Sequence, residues 1–166
     1  SNGKYYQSGN ISFTEPWLGG KKPTSFTTAI VRSRLANGYA STDAKFGKFV
    51  TNGASIGIGK QLKWPDDFFT GIISLDYENY NLKNWNNNSF ILTDGNSNNL
   101  SAKFAVTRNS LDEFIFPKRG SNFEFNVQLT PKYSTWFSNK DYTNLPNNEK
   151  YKWIEYHKWR FNVEWY

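Results

Sequence analysis

Residues 122–130 constrain the fold more than any other part of the chain, because they alternate between apolar and polar side chains without interruption. The apolar positions are Phe123, Phe125, Val127 and Leu129, and the polar positions are Asn122, Glu124, Asn126, Gln128 and Thr130. A period of two predicts a β-strand with two unlike faces. Such a strand suits either a half-buried strand of a soluble sandwich or the wall of a membrane barrel, and the other strands have to decide between them.

Six more segments have the alternation or the β-branched bias of strands and are bounded by Gly, Pro, Asn and Asp. The seven predicted strands cover residues 4–14, 24–35, 49–62, 68–82, 100–111, 122–130 and 152–166. The glycines at alternate positions of the third strand suit a crowded or bent wall. The sequence thus predicts an all-β chain, with loops over residues 36–48, 83–99 and 132–151.

The connections between these strands alternate in character. Those after strands one, three and five are short or tightly built, whereas those after strands two, four and six are long and polar. Tight turns at one end and long loops at the other are typical of an outer-membrane barrel. A soluble sandwich has no reason to keep this rhythm, so the pattern favours an antiparallel transmembrane β-barrel segment.

The composition agrees with a barrel and excludes several functional classes. Hydrophobic residues make up only 37% of the chain but aromatic residues 19%, a combination that membrane barrels show because half of each strand faces water. No apolar run is long enough for a transmembrane helix. Cysteine is absent, which removes disulfides and thiolate metal sites. The net charge of +6 is spread among acidic residues and amides, so no nucleic-acid site is predicted.

In a barrel, the two faces of these strands become a lipid-facing and a lumen-facing surface. The predicted lipid-facing residues are Ile11, Phe13, Ala54, Ile56, Ile58, Ile73, Leu75, Tyr77, Leu100, Phe104, Val106, Phe123, Phe125, Val127, Leu129, Trp159, Phe161, Val163 and Trp165. The predicted lumen-facing residues are Asp76, Glu78, Lys103, Glu124, Asn126, Gln128, Lys158, Arg160 and Glu164. Ionised side chains are costly in a dry core but are solvated in a water-filled lumen.

Four motifs in this order resemble the barrel of the Omp85 superfamily, in the form of its insertase found in the Bacteroidetes. They are ISFTEPWLGGKKP at 11–23, GKQLKWPDD at 59–67, TRNSLDEFIFPKRGSNF at 107–123 and EKYKWIEYHKWRFNVEWY at 149–166. The turn Phe116-Pro117-Lys118-Arg119-Gly120 matches the superfamily's FP-x-x-G module. The resemblance covers nearly the whole chain.

The resemblance implies that these are seven middle strands, the fourth to the tenth, of a barrel of roughly sixteen. Glu15, Pro16, Trp17, Trp64, Pro65, Phe116, Pro117 and Gly120 would then lie in periplasmic turns. The superfamily's POTRA domains, its lid motif and the seam of the barrel would lie outside residues 1–166. The start Ser1-Asn2-Gly3 and the absence of Met also suggest a fragment.

No residue cluster supports catalysis. His157 is the only histidine, so a metal cluster based on histidine and a Ser-His-Asp triad both lack support. Asp76 and Glu78 could form an acid/base pair, but lumen carboxylates paired with basic neighbours are the favoured interpretation. The pairs Asp66-Asp67 and Asp112-Glu113 are interpreted as solvated turn residues. No enzyme activity, cofactor or metal is predicted.

The tryptophans could form a sugar-stacking platform, but most lie near predicted strand ends, where aromatic girdles occur. They are Trp17, Trp64, Trp85, Trp136, Trp153, Trp159 and Trp165. Two apolar patches, 90–92 and 133–137, lie in supposed external loops, where they could cap the barrel or contact a partner.

The resemblance implies a central component of the machinery that folds and inserts β-barrel proteins into the bacterial outer membrane. Its implied partners are the outer-membrane bilayer, the rest of its own barrel and POTRA domains, unfolded outer-membrane proteins, and accessory lipoproteins or surface proteins. Another translocase of the superfamily, a small outer-membrane channel and a soluble glycan-binding sandwich remain alternatives.

Overall fold

All seven predicted strands are present in one antiparallel sheet in the computed structural model, which describes residues 3, 5–20, 24–85, 92–113, 115–136 and 143–166. The strands are β1 (Tyr6–Glu15), β2 (Thr24–Ala36), β3 (Lys48–Gln61), β4 (Phe69–Lys83), β5 (Gly95–Asn109), β6 (Ser121–Leu129) and β7 (His157–Trp165). Each strand pairs with its neighbours in sequence, in the order β1 to β7. The all-β prediction is confirmed, and the sheet is not closed within the described residues.

The register places like side chains on the same face of the sheet, because directly opposed residues of antiparallel strands point the same way. Ile56 of β3 lies opposite Leu75 of β4, and the neighbouring Ser55 lies opposite Asp76. The same alternation runs from β1, where Ile11 faces Ile30, to β7. We call the face that carries Ile56 the apolar face and the face that carries Asp76 the polar face.

Glycines on the polar face of β3 allow its neighbours to approach closely. A Cβ at Gly53 would come within 2.7 Å of a Val31 methyl, and one at Gly59 within 2.8 Å of the Ser25 hydroxyl. A Cβ at Gly57 would lie 3.1 Å from the Ser74 Cβ. The prediction that these glycines serve a crowded wall is confirmed.

Several predicted boundaries are wrong. β5 begins at Gly95, so the final part of the predicted 83–99 loop is strand, and β7 begins at His157 rather than at residue 152. The connection 110–120 is therefore as long as 37–47 and 84–94, and the predicted short-long rhythm does not hold there. Only 16–23 and 62–68 are clearly short, and 130–156 is clearly long. The Asn-rich start of β5 was missed because it lacks apolar alternation.

The end of the long connection 130–156 covers the part of β5 that extends beyond β6. Trp153 forms a parallel bridge with Asn98, whose backbone N–H donates to the Lys152 carbonyl at 2.8 Å. The N–H of Ile154 donates to the Asn98 carbonyl at 2.9 Å. These bonds satisfy backbone groups that would otherwise lie on an exposed strand edge. We call residues 152–156 the edge cover.

The Asn98 side chain forms hydrogen bonds with both the edge cover and β4. Its Oδ1 accepts hydrogen bonds from the Tyr77 hydroxyl and the Asn79 amide, both at 2.9 Å, and its Nδ2 donates to the Lys152 carbonyl at 3.3 Å. Ser97 Oγ donates to the Tyr151 carbonyl at 2.6 Å. The Asn-rich run is thus buried by mutual hydrogen bonding rather than by apolar contact.

The helices are small. Helix α1 spans Tyr133–Trp136 and α2 spans Asn147–Lys150, with a short 3₁₀ turn at Leu18–Gly20. Among the described residues, no helix is long and apolar enough to cross a membrane.

We expect Asn98→Ala to release the edge cover, because it removes the acceptor of two side-chain donors and one bond to the Lys152 carbonyl. Loss of such bonds should speed tryptic cleavage after Lys152 by about tenfold. Limited proteolysis of the folded protein checks this. Asn96→Ala is the matched control, since in the part of the chain that the structure describes the Asn96 side chain accepts one hydrogen bond, from Asn79. Equal cleavage of the two variants would contradict the prediction.

Candidate functional site: the faces and turns of the sheet

The apolar face is unusually exposed for a chain of this size. Ile11 is 80% exposed, Ile73 60% and Phe161 63%. Large exposed apolar patches mark interaction or membrane surfaces. The register puts every residue predicted to face lipid on this one face.

Polar residues border the apolar face at both ends. In β3 the stretch from Ala54 to Ile58 is followed by Lys60 on the same face and preceded by Asn52. In β5 the stretch from Leu100 to Val106 ends at Arg108. The apolar face is therefore a band rather than an entire surface, which is the pattern of a sheet that crosses a hydrocarbon layer.

The polar face carries every residue predicted to face the lumen. Lys103 Nζ lies 3.3 Å from Asp76 Oδ1, so Asp76 has the basic partner that the sequence analysis favoured. Glu78 instead accepts hydrogen bonds from the Tyr80 hydroxyl and the Asn99 amide. The Asn126 amide donates to Glu124 at 2.6 Å. These carboxylates are held by hydrogen bonds and, at Asp76, by an ion pair.

A shallow pocket of about 330 Å³ lies between these charges, lined among others by Lys103, Glu124, Lys158 and Arg160. The polar face is not uniformly polar, since Val31 and Ile72 on it are 40% and 43% exposed. Sequence reasoning missed Val31 because β2 has no clear alternation, and it missed Ile72 because this residue stands directly before the apolar Ile73 in β4.

Arg108 connects turns 62–68 and 110–120, which are neighbours at the end of the sheet where β3 and β5 finish. Its Nε donates to Asp66 Oδ2 at 2.8 Å, and its guanidinium also donates to the hydroxyls of Ser110 and Ser121. The guanidinium lies 5.6 Å from the Phe68 ring centre, within cation–π range. The interpretation of Asp66 as a solvated turn residue is therefore wrong.

Asp112 organises the turn 110–120. Its Oδ1 accepts from the backbone N–H groups of Glu113, Lys118 and Arg119 at 3.0, 3.1 and 3.2 Å. Desolvation raises the pKa of Asp112, but these backbone donors outweigh it and bring the pKa below its usual 3.8. Asp112 is an exposed turn residue, as predicted, but it also caps the turn through these three bonds. Two of its donors lie six and seven residues further along the chain, so no sequence pattern revealed them.

The tip of this turn presents bare apolar side chains. Phe116 is 84% exposed, with a φ of 58°, a left-handed conformation that is uncommon for a bulky residue. Gly120 has a φ of 112°, and a Cβ there would collide with the Ser110 carbonyl. The FP-x-x-G turn thus depends both on the Asp112 carboxylate, which caps it, and on Gly120.

The tryptophans do not form one surface. Trp85 is 7% exposed, with its ring centre 6.0 Å from that of Phe49, and Trp153 stacks on Tyr133 at 4.5 Å. These two pack inside the chain rather than at an interface. Trp64 and Trp165 are 82% and 83% exposed, at the end of the sheet that carries turn 110–120.

One residue of each apolar loop patch is buried. Leu92 and Tyr133 are 8% and 6% exposed. Desolvation and the nearby Glu155 carboxylate raise the pKa of Tyr133. Thr135 is exposed, while residues 90–91 and 137 and the side chain of Trp136 lie outside the described residues.

Nothing in the described part of the chain forms a metal site, as no group of three or more potential His or carboxylate ligands comes together there. His157 lies on the apolar face opposite Leu129, at the start of β7.

These features define a class of protein: an antiparallel meander with an apolar band on one face and a hydrogen-bonded, charged face behind it is the wall of a β-barrel. Residues 1–166 match the Omp85 superfamily domain over their whole length, and the chain belongs to that superfamily.

A solved structure shares the fold. The crystal structure of BamA from Haemophilus ducreyi lacking POTRA domains 1–3 is similar with a TM-score of 0.57 and 22% sequence identity. The match covers 77% of this chain and 26% of that one, so this chain spans far less than the length of the matched protein. No curated protein matches the sequence.

The pKa of Asp112 predicts that turn 110–120 depends on pH. Because the folded pKa lies below the unfolded value of about 3.9, the carboxylate stabilises the turn above about pH 4 and ceases to do so as the pH falls through the folded pKa. At pH 7, Asp112→Asn should weaken the hydrogen-exchange protection of residues 118 and 119. The difference from wild type should vanish at low pH. Glu113→Gln is the control, and an equal effect there would refute the assignment.

Proposed function

We propose that this chain is part of the barrel of a BamA-type insertase, the central component of the machinery that folds β-barrel proteins into the bacterial outer membrane. The observation that carries the proposal is the superfamily match over all of residues 1–166, together with a sheet of the required two-faced construction. The motif resemblance that favours the insertase over other members points to its form in the Bacteroidetes.

In this proposal the sheet is one wall of a larger barrel of roughly sixteen strands, with the POTRA domains and the other strands outside residues 1–166. The backbone groups on the free edges of β1 and β7 would then pair with further strands, since hydrocarbon cannot satisfy them. The apolar face meets lipid and the polar face lines the lumen. The turns 16–23, 62–68 and 110–120 lie on the periplasmic side.

The mechanism is physical and uses no cofactor. A barrel with a weak seam offers edge strands to an unfolded outer-membrane protein and lowers the barrier to its insertion. This wall contributes rigidity, through long paired strands, and external loops for accessory proteins of the assembly complex. The hydrogen-bonded edge cover on β5 fits a wall that is not itself the opening.

Neighbouring residues of β3 test which face meets lipid. We expect Ile56→Lys to cost about 2–4 kcal/mol of folding free energy in phospholipid vesicles, because a charge on the lipid face must leave water. Ser55→Lys should cost far less, since residue 55 lies opposite Asp76 on the polar face. Urea titrations of the complete barrel measure both. Similar costs would contradict the assignment of the faces.

Depletion in the native bacterium tests the insertase role. We expect the folded outer-membrane content of many unrelated β-barrel proteins to fall within a few generations, while their unfolded forms accumulate in the periplasm. Loss of a single secreted substrate, with other barrels unaffected, would instead identify a polypeptide-secreting member of the superfamily. Full growth with normal barrel content would refute the proposed function.

A further inference from the structure

A groove of about 580 Å³ interrupts the apolar face around Gly71. Its lining includes Ile56, Ile58, Lys60, Leu62, Gly71 and Val106. It lies at the end of the band nearest the 62–68 turn, and its size is within the usual range for small-molecule sites.

The groove exists because residue 71 has no side chain. In the register, Gly71 lies between Lys60 of β3 and Val106 of β5, where every other β4 position of the band on this face carries a large side chain. A Cβ at Gly71 would meet only the Leu62 side chain, at 3.7 Å, which is an ordinary contact. A Cβ would therefore fit at position 71, so the backbone does not require glycine there.

The groove has an apolar body and one cationic end. Its wall is almost wholly apolar, and Lys60 is its one charged lining residue. Lys60 is exposed, and it makes no ion pair within the part of the chain that the structure describes. Long basic side chains at the end of an apolar band extend their charged groups into the lipid headgroup layer.

We propose that this groove binds one anionic phospholipid, with an acyl chain lying over Gly71 and the headgroup phosphate held by Lys60. The apolar body of the groove suits the lipid's acyl chain. The Lys60 ammonium group, which has no ion pair in the described part of the protein, suits the anionic headgroup. The proposal rests on the assignment of the apolar face to lipid under the proposed function. The end near the 62–68 turn then lies in the inner leaflet, where phospholipids are the available occupants.

Native mass spectrometry of the complete barrel tests this with two probes at equal concentration, dioleoylphosphatidylglycerol and dioleoylphosphatidylcholine. We expect wild type to retain one phosphatidylglycerol in preference to phosphatidylcholine. Gly71→Val fills the groove and should weaken phosphatidylglycerol binding at least about fivefold. Lys60→Gln should abolish the preference for phosphatidylglycerol while leaving chain binding in place.

Gly9→Val is the matched control, because Gly9 is on the apolar face of β1 and a Cβ there would contact nothing within 4 Å. It should bind lipid as wild type does. Heat-modified gel mobility verifies that each variant is folded, and Gly71→Ala replaces Gly71→Val if the latter is not. Equal phosphatidylglycerol retention by wild type and the Gly71 variant, or an unchanged preference in Lys60→Gln, would overturn the inference.

Failure of this inference is distinguishable from failure of the proposed function. If the groove binds no lipid but Ile56→Lys still destabilises the barrel in vesicles, the wall is membrane-facing and only the specific site is refuted. If both tests fail, the assignment of the apolar face to lipid is refuted as well.

Discussion

Every surface of this molecule depends on the cross-strand register. Directly opposed residues share a face, so a slip of one residue in any pair would exchange the apolar and polar surfaces of that strand. Ladder hydrogen bonds alone do not prevent such a slip. The cross-strand contacts do, because Asp76 meets Lys103 on one face and Phe104 meets Val127 on the other. The sheet therefore carries two chemically distinct surfaces through all seven strands.

The sequence could predict those strands in which apolar and polar residues visibly alternate with a period of two. In β6 and β7, apolar and polar residues alternate without interruption, so the sequence alone predicts which residues lie on each face. The start of β5 does not alternate, because residues 96–99 are all Asn or Ser. These residues are strand because their side chains bond to β4, to Tyr151 and to the edge cover, and such long-range partners leave no local periodicity.

The turn residues show the same limit. Asp66 and Arg108 form an ion pair although they are far apart in sequence. Because no local motif contains both residues, the sequence predicted only a charged turn and a charged strand end. Their contact joins the turns 62–68 and 110–120, and Phe68 and Ser121 belong to the same cluster.

The glycines of β3 join three strands into one packed unit. With no side chains at residues 53, 57 and 59, side chains of β2 and β4 take up the space over β3 on the polar face, with Val31 over Gly53, Ser25 over Gly59 and Ser74 beside Gly57. A side chain introduced at any of these three positions would therefore displace a neighbouring strand as well as crowd its own.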